Sequence, residues 1–223
     1  AMQRLHDARV AVFGVGGVGG YVVEALARSG VGTLDIIDDD KVCLSNLNRQ
    51  IIATHATLGR YKVDAARERI LSINPGCVVY THKTFYTHET AAQFDFAQYD
   101  YVVDAIDTVA QKLQLAVWCQ ERGYREISAM GGGNKLDPTR LRFARIEETV
   151  NCPLARVMRK ECRRRGIHDL QVLYSDEQPV RMEKISDEQW RESGSLLGTM
   201  SYFPPIMGQM IASRVIRDLL GWA

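Results

Sequence analysis

The stretch that most constrains the chain is Gly14-Val-Gly16-Gly17-Val-Gly19, set between two segments of different periodicity. Ahead of it Arg9-Val-Ala-Val-Phe13 is a short β-branched run, and behind it Tyr21 to Ser29 carries apolar residues at helical spacing. The order predicts strand, tight turn, helix. Gly30-Val-Gly32 ends the helix, and Thr33-Leu-Asp-Ile-Ile37 supplies a second strand within the length of one βαβ unit, so the two strands are expected as parallel neighbours. Gly14, Gly16, Gly17 and Gly19 let the backbone approach phosphates at a helix N-terminus, where unpaired N–H groups and the helix dipole favour negative charge. Asp38 ends the second strand 19 residues after Gly19, where its carboxylate is placed to accept from both hydroxyls of an adenosine ribose.

The alternation continues. A helix is expected over Arg60–Ile73, stopped by Asn74-Pro75-Gly76, then a strand over Val78–His82 and a short helix over His88–Phe94. A strand over Tyr101–Asp104, a helix over Val109–Arg122 and a strand over Glu126–Met130 come next. This pattern predicts a Rossmann-like α/β fold, a mostly parallel sheet with helices on both faces and ligands at the carboxyl ends of its strands. Beyond Gly131-Gly-Gly133 the pattern becomes less regular. Thr139–Ile146 reads as an antiparallel strand, Pro153–Arg165 as a basic helix and Gln171–Tyr174 as another strand. Residues 175–200 read as a mobile polar loop and Pro205–Leu220 as a closing apolar helix. We read one continuous domain, with a nucleotide-binding core over residues 1–150 and an antiparallel distal extension over 151–223.

Composition narrows the partners. With 223 residues, 25% of them charged, and a formal net charge of +1, nothing draws the whole chain toward a polyanion, so such a partner must meet a local basic patch. No run of about 18 apolar residues is present and no signal-peptide pattern opens the chain, which predicts a cytoplasmic protein with no membrane partner. The five cysteines include no Cys-x-x-Cys pair for zinc or redox chemistry.

The glycine fingerprint alone favours a dinucleotide, whereas the residues from Asp38 to Lys62 favour ATP. Asp38-Asp-Asp40, Asn46, Arg49-Gln50 and Gly59-Arg60-Tyr-Lys62 place amides and cations near the ribose carboxylate, a set suited to a triphosphate. Asp107, just past the strand ending in Asp104, reaches the same strand-end cleft and could hold Mg²⁺. It also fits an N-cap for the helix from Val109. Arg156, Arg159, Lys160, Arg163 and Arg164 recur at spacings that put one positive stripe along a helix, either a nucleic-acid contact or a solvated face.

Together Gly14 to Gly19, Asp38-x-Asp40, Ser45-Asn-Leu-x-Arg49-Gln50, Gly59-x-x-Lys62 and Asp104-Ala-Ile-Asp107 resemble the adenylation domain of the ThiF/MoeB/HesA family, relatives of ubiquitin-activating enzymes. The resemblance implies that Asp38 holds the ribose, that Asn46, Arg49 and Lys62 hold phosphates, and that Asp107 positions Mg²⁺. Arg49 and Lys62 would stabilise charge at the α-phosphorus as a carboxylate attacks it. The distal half is similar to the branch that cyclises threonylcarbamoyladenosine in tRNA, through Gly131-Gly-Gly-Asn-Lys-Leu-Asp137, Pro153-Leu-Ala155, Val172-Leu-Tyr-Ser175-x-Glu177-x-Pro179, Gly194-Ser195 and Pro204-Pro205-x-x-Gly208.

The alternative is an activating enzyme for a ubiquitin-like or sulfur-carrier protein, and a nucleotide-sensing module without catalysis is a third reading. Against the alternative, the zinc cysteines of sulfur-carrier activators and a thioester cysteine are missing from their places. Cys152, before Pro153 at a helix start, is the one conceivable nucleophile, and it reads first as a loop cysteine beside a helix-initiating proline. The resemblance also implies a homodimer in which an arginine from an N-terminal helix reaches the partner's ATP. Arg4 and Arg9 are the N-terminal cations available, and neither is assigned that role. The apolar run Ile206–Leu220 is expected to be exposed enough to serve a dimer. A sulfur-transfer protein is a possible further partner.

Overall fold

In the computed structural model, which describes residues 1–87, 89–180 and 198–222, the described strands join in one seven-stranded sheet. They are β1 (Arg9–Phe13), β2 (Thr33–Ile37), β3 (Val78–His82), β4 (Tyr101–Asp104), β5 (Glu126–Ala129), β6 (Leu141–Arg145) and β7 (Gln171–Ser175). Their spatial order is β3-β2-β1-β4-β5-β7-β6, and each pair is parallel except β6 with β7, where Phe143 lies opposite Leu173. Strand order reverses between β1 and β4, so the crevice beyond their carboxyl ends is the topological switch point where such sheets bind ligands.

The helices are α1 (Met2–Asp7), α2 (Gly19–Arg28), α3 (Lys62–Ile73), α4 (Val109–Arg122), α5 (Pro153–Arg165) and α6 (Phe203–Leu220). Both central strands are sealed on two faces, which explains why β1 and β4 read as continuous apolar runs. Val10 and Val12 join the core under α2, α3 and α6, whereas Ala11 and Phe13 point to the other face and an aromatic cluster of Tyr86, Phe94, Phe96 and Tyr99. α4 and α5 pack together on that second side.

The structure departs from several expectations. α1 has no counterpart in the sequence pattern, because a six-residue helix with one buried residue, Leu5, has no readable period. The helix expected over His88–Phe94 is only a 3₁₀ turn at Ala91–Gln93, and His88 lies outside the described residues. β6 begins at Leu141 rather than Thr139, because Asp137 accepts from the Thr139 N–H at 2.9 Å and starts a 3₁₀ turn at Pro138–Arg140. α6 is not an exposed apolar face. Phe203, Met207, Ile211 and Val215 are fully buried, and α6 packs mainly on α2. Most of the expected mobile loop, 181–197 with Gly194 and Ser195, lies outside the described residues. Among the described residues no helix is long and apolar enough to cross a membrane.

Candidate active site

The glycine turn is forced by close approach. Gly14 has φ +89°, and a Cβ there would lie 2.6 Å from the Ala105 carbonyl oxygen at the end of β4. A Cβ on Gly19 would fall 1.8 Å from the Gly14 oxygen, so these two glycines fold the turn tightly between β1 and α2. Gly16 and Gly17 line its other side. A Cβ on Gly16 would meet Gln50 Nε2 at 3.6 Å, and one on Gly17 would meet Pro204 Cβ at 3.1 Å and Arg49 Cγ at 3.3 Å. The turn, the loop bearing Arg49 and Gln50, and the head of α6 therefore converge.

That loop is closed at its neck by a bridge between Lys41 and Tyr61 and by the Val42 N–H donating to the Arg60 carbonyl at 2.8 Å. Within it Leu44–Asn46 forms a 3₁₀ turn because buried Asn46 accepts from the Cys43 N–H through Oδ1 at 3.2 Å. The Asn46 carbonyl in turn accepts from the Arg49 and Gln50 N–H groups, at 3.1 and 2.9 Å. Arg49 Nη1 donates to the Ser45 carbonyl and to Asn48 Oδ1, both at 3.0 Å. Gln50 is buried and its Oε1 has no hydrogen-bond partner among the described residues. An orphaned acceptor is costly in a folded interior, and a ligand donor beside the glycine turn would relieve it.

Asp38 faces the same turn. Its Oδ2 accepts from the Val15 N–H at 2.7 Å and its Oδ1 from the Asp40 N–H at 2.9 Å. Burial raises its pKa, opposed by the charge of Lys62 and by those two backbone bonds. Lys62, buried at the first position of α3, lies 2.5 Å from Asp40 Oδ2 and 3.6 Å from Asp38 Oδ1. A cation at a helix N-terminus opposes the helix dipole, so this position is held by the carboxylates and suits an added anion.

Asp107 is exposed, and its carboxylate accepts from the Thr108 hydroxyl at 3.3 Å. It is not the N-cap of α4; Thr108 occupies that place. The turn carrying it is anchored by a group that sequence reasoning misses. Asp104, fully buried, accepts from Lys112 Nζ at 2.9 Å, from the Ser128 hydroxyl at 2.6 Å and from the Ile106 N–H at 3.1 Å. The readable signal is an aspartate ending an apolar strand and a lysine on the buried side of a helix. Asp38, Asp39 and Asp40 form the cluster among the described residues whose carboxylates lie within metal-sharing distance, and Asp107 is not part of it.

The remaining expected groups lie outside this turn and loop. Cys152 is buried and its sulfur accepts from the Ala155 N–H at 3.5 Å, so it caps α5 and is not presented as a nucleophile. On α5, Arg159 is tied to Thr149 and Arg164 to Glu161. Arg156, Lys160 and Arg163 have no side-chain hydrogen bond or ion pair to any described residue. Arg4 donates to the Leu220 carbonyl of its own chain at 2.8 Å.

A doubly wound sheet with this turn at its switch point, a carboxylate after β2 and cations beside the turn defines a nucleotide-binding α/β protein. The chain belongs to the ThiF family, whose model matches residues 1–223. It is 42% identical over 227 residues to the tRNA threonylcarbamoyladenosine dehydratase of Bacillus subtilis, covering 98% of this chain and 89% of that protein. The dehydratase of Escherichia coli is 39% identical over 160 residues, 72% of this chain and 60% of that protein. The solved structure of the E. coli enzyme with ATP superposes with a TM-score of 0.88 at 31% identity, covering 99% of this chain and 88% of that one. The molybdopterin-synthase adenylyltransferase of E. coli matches 52% of this chain and 47% of its own length at 38% identity.

Proposed function

We propose that the protein is an ATP-dependent enzyme that adenylates the threonyl carboxylate of threonylcarbamoyladenosine in tRNA and so removes one water from the nucleoside. The observation that carries this reading is the similarity to a dehydratase over 98% of the chain, against 52% for the molybdopterin-synthase adenylyltransferase.

In this reading the Gly16–Gly17 turn receives the polyphosphate and Asp38 the ribose hydroxyls. Gln50, whose Oε1 has no partner among the described residues, takes a donor from the bound nucleotide. Arg49, Lys62 and Asn46 hold phosphate oxygens. The exposed Asp107 carboxylate, which among the described residues accepts from the Thr108 hydroxyl alone, has oxygens to spare for Mg²⁺, which when bound would neutralise phosphate charge. A substrate carboxylate oxygen attacks the α-phosphorus and pyrophosphate leaves, with Arg49 and Lys62 placed to meet the charge that develops there. The carbamoyl group of the same side chain then attacks the activated acyl carbon. The ring closes, AMP departs and one proton is released, so no outside acceptor and no thiol take part. The family pattern of paired adenylation domains supports a homodimer.

The test is to incubate the purified protein with ATP, Mg²⁺ and tRNA bearing threonylcarbamoyladenosine, following AMP and pyrophosphate and weighing the nucleoside by mass spectrometry. Loss of one water that disappears in Arg49→Ala and Asp107→Ala is the expected result. An unchanged nucleoside, with pyrophosphate exchange appearing only when a protein ending in Gly-Gly is added, assigns the carrier-protein activity instead.

A further inference from the structure

α5 carries six cations and one carboxylate on a chain whose formal net charge is +1, so it is the local basic feature that the whole-chain balance hides. The structure divides these cations. Arg164 and Arg165 share Glu161, at 3.1 and 2.5 Å, and are spent within the helix. Arg159 gives Nη1 to the Thr149 carbonyl and hydroxyl, at 2.6 and 2.8 Å, which fixes its guanidinium while Nε and Nη2 have no acceptor among the described residues. Arg156, Lys160 and Arg163, at steps of four and three residues, are unspent among the described residues and lie along one side of α5 over about 10 Å.

A cavity of about 330 Å³ opens at the head of this row, lined by Asn151, Arg156, Arg159, Gln178 and Pro179 among others. Its rim is framed by hydrogen bonds. Gln178 Nε2 donates to Asn151 Oδ1 at 2.7 Å, and Asn151 Nδ2 donates to the Asp176 carbonyl at 3.0 Å. Beneath them Lys135, fully buried, donates Nζ to the carbonyls of Asn151, Ser175 and Glu177 and so ties both sides of the rim together. The volume is at the lower end for a ligand pocket, right for one nucleotide unit rather than a larger molecule.

Position links this surface to the activating site. Gly17 of the glycine turn abuts Pro204, a Cβ on Gly132 would meet Phe203 at 3.2 Å, and one on Gly131 would meet Leu154 of α5 at 3.6 Å. The head of α5 is thus joined to the phosphate turn through the head of α6 and the Gly131–Gly132 segment.

We propose that Arg156, Lys160 and Arg163, with the cavity between Arg156, Arg159 and Asn151, bind the sugar–phosphate strand of the tRNA next to the modified adenosine. This rests on the dehydratase reading for the identity of the RNA. A row of single-sign charges follows a polyanionic strand. A docking protein would call for aromatic or aliphatic anchors, and the large apolar residue exposed on α5 is Val157 alone.

The test measures tRNA affinity against salt for the full chain and for Arg156→Ala/Lys160→Ala/Arg163→Ala. Arg67→Ala/Arg217→Ala, which removes surface arginines elsewhere, serves as control. The expected result is a salt slope smaller by about two, from about 0.7 per single-strand phosphate released. The KM for tRNA rises at least tenfold, with kcat and the KM for ATP within threefold of the parent. Equal melting temperatures exclude misfolding of these exposed variants. If the parent modifies the nucleoside and the triple variant keeps its salt slope and KM, the surface assignment is overturned while the dehydratase reading stands. If the parent leaves the nucleoside unchanged yet loses tRNA affinity and salt slope with the triple substitution, the RNA surface stands and the dehydratase reading falls. Loss of affinity for an acidic Gly-Gly carrier protein, with tRNA binding untouched, overturns the proposal in favour of a protein partner.

Discussion

Lys62 shows how one side chain sets the condition of the site. It is 8% exposed, and it balances Asp40 directly and Asp38 at longer range. Replacing it with methionine keeps the volume and removes the cation, leaving Asp38 buried with less opposition to the burial that already raises its pKa. Asp38 must be ionised to accept from both ribose hydroxyls. ATP affinity should therefore fall on the acid side at a pH above the ordinary aspartate range, and in Lys62→Met at a higher pH still. Isothermal titration of ATP between about pH 4.5 and 8 reads this directly. Turnover should drop about 10²–10³-fold in Lys62→Met, as for loss of one donor to developing charge. An ATP affinity with the same pH profile in both proteins would remove Asp38 from the ribose site.

At this scale Asp38 and the glycines are legible because fixed spacing after a strand carries them. The Asp104–Lys112–Ser128 group is not, since its members come together only when β4, α4 and β5 pack.

Among elements, the contact of α6 with α2 matters most for the site. Gly208 lets the two helices close: a Cβ there would sit 2.5 Å from the Val18 carbonyl oxygen and 2.7 Å from Tyr21 Cβ. Val18 is the N-cap of α2, inside the glycine turn itself. Gly208→Ala should then cost about 1–3 kcal/mol by overpacking, lowering the melting temperature by roughly 2–4 °C per kcal/mol in a domain of this size. It should also raise the KM for ATP severalfold, because relief of the clash moves the head of α2. A variant with the lower melting temperature and an unchanged KM would show that the turn is insulated from α6.

Periodicity reveals α6 as a helix but not its partner, so its apolar run reads from sequence as an exposed face. Burial of Met207, Ile211 and Val215 comes from a helix about 180 residues distant in sequence, which no local pattern reports. The short 3₁₀ turn at Ala91–Gln93 reads as a longer helix for a related reason: its stability lies in the aromatic cluster around Phe94 and Phe96, not in its own residues.

For the molecule as a whole, the parallel sheet is locked across β1, β2 and β3 by one buried carboxylate. Asp35 of β2 is 1% exposed and accepts from Arg9 at 2.7 and 3.0 Å, from His82 at 3.0 Å and from the Tyr99 hydroxyl at 3.3 Å. Burial pushes its pKa up, but the hydrogen bonds from His82 and Arg9 outweigh that and hold it below its ordinary value of 3.8. Since the folded pKa lies below the unfolded one, the folded chain binds fewer protons. The stabilisation is complete above about pH 4 and is lost as pH falls through the lower folded value. Asp35→Asn should thus lower stability at pH 7 by about 1–2 kcal/mol, a figure kept small because Arg9 is a quarter exposed and partly screened. The difference should shrink as pH falls through the lowered folded value, where the parent loses the same charge. Urea unfolding of both proteins from pH 2 to 8 gives the two curves. Curves that stay parallel down to the lowest pH would mean that Asp35 acts through packing and not through its charge, and that the three-strand lock is steric.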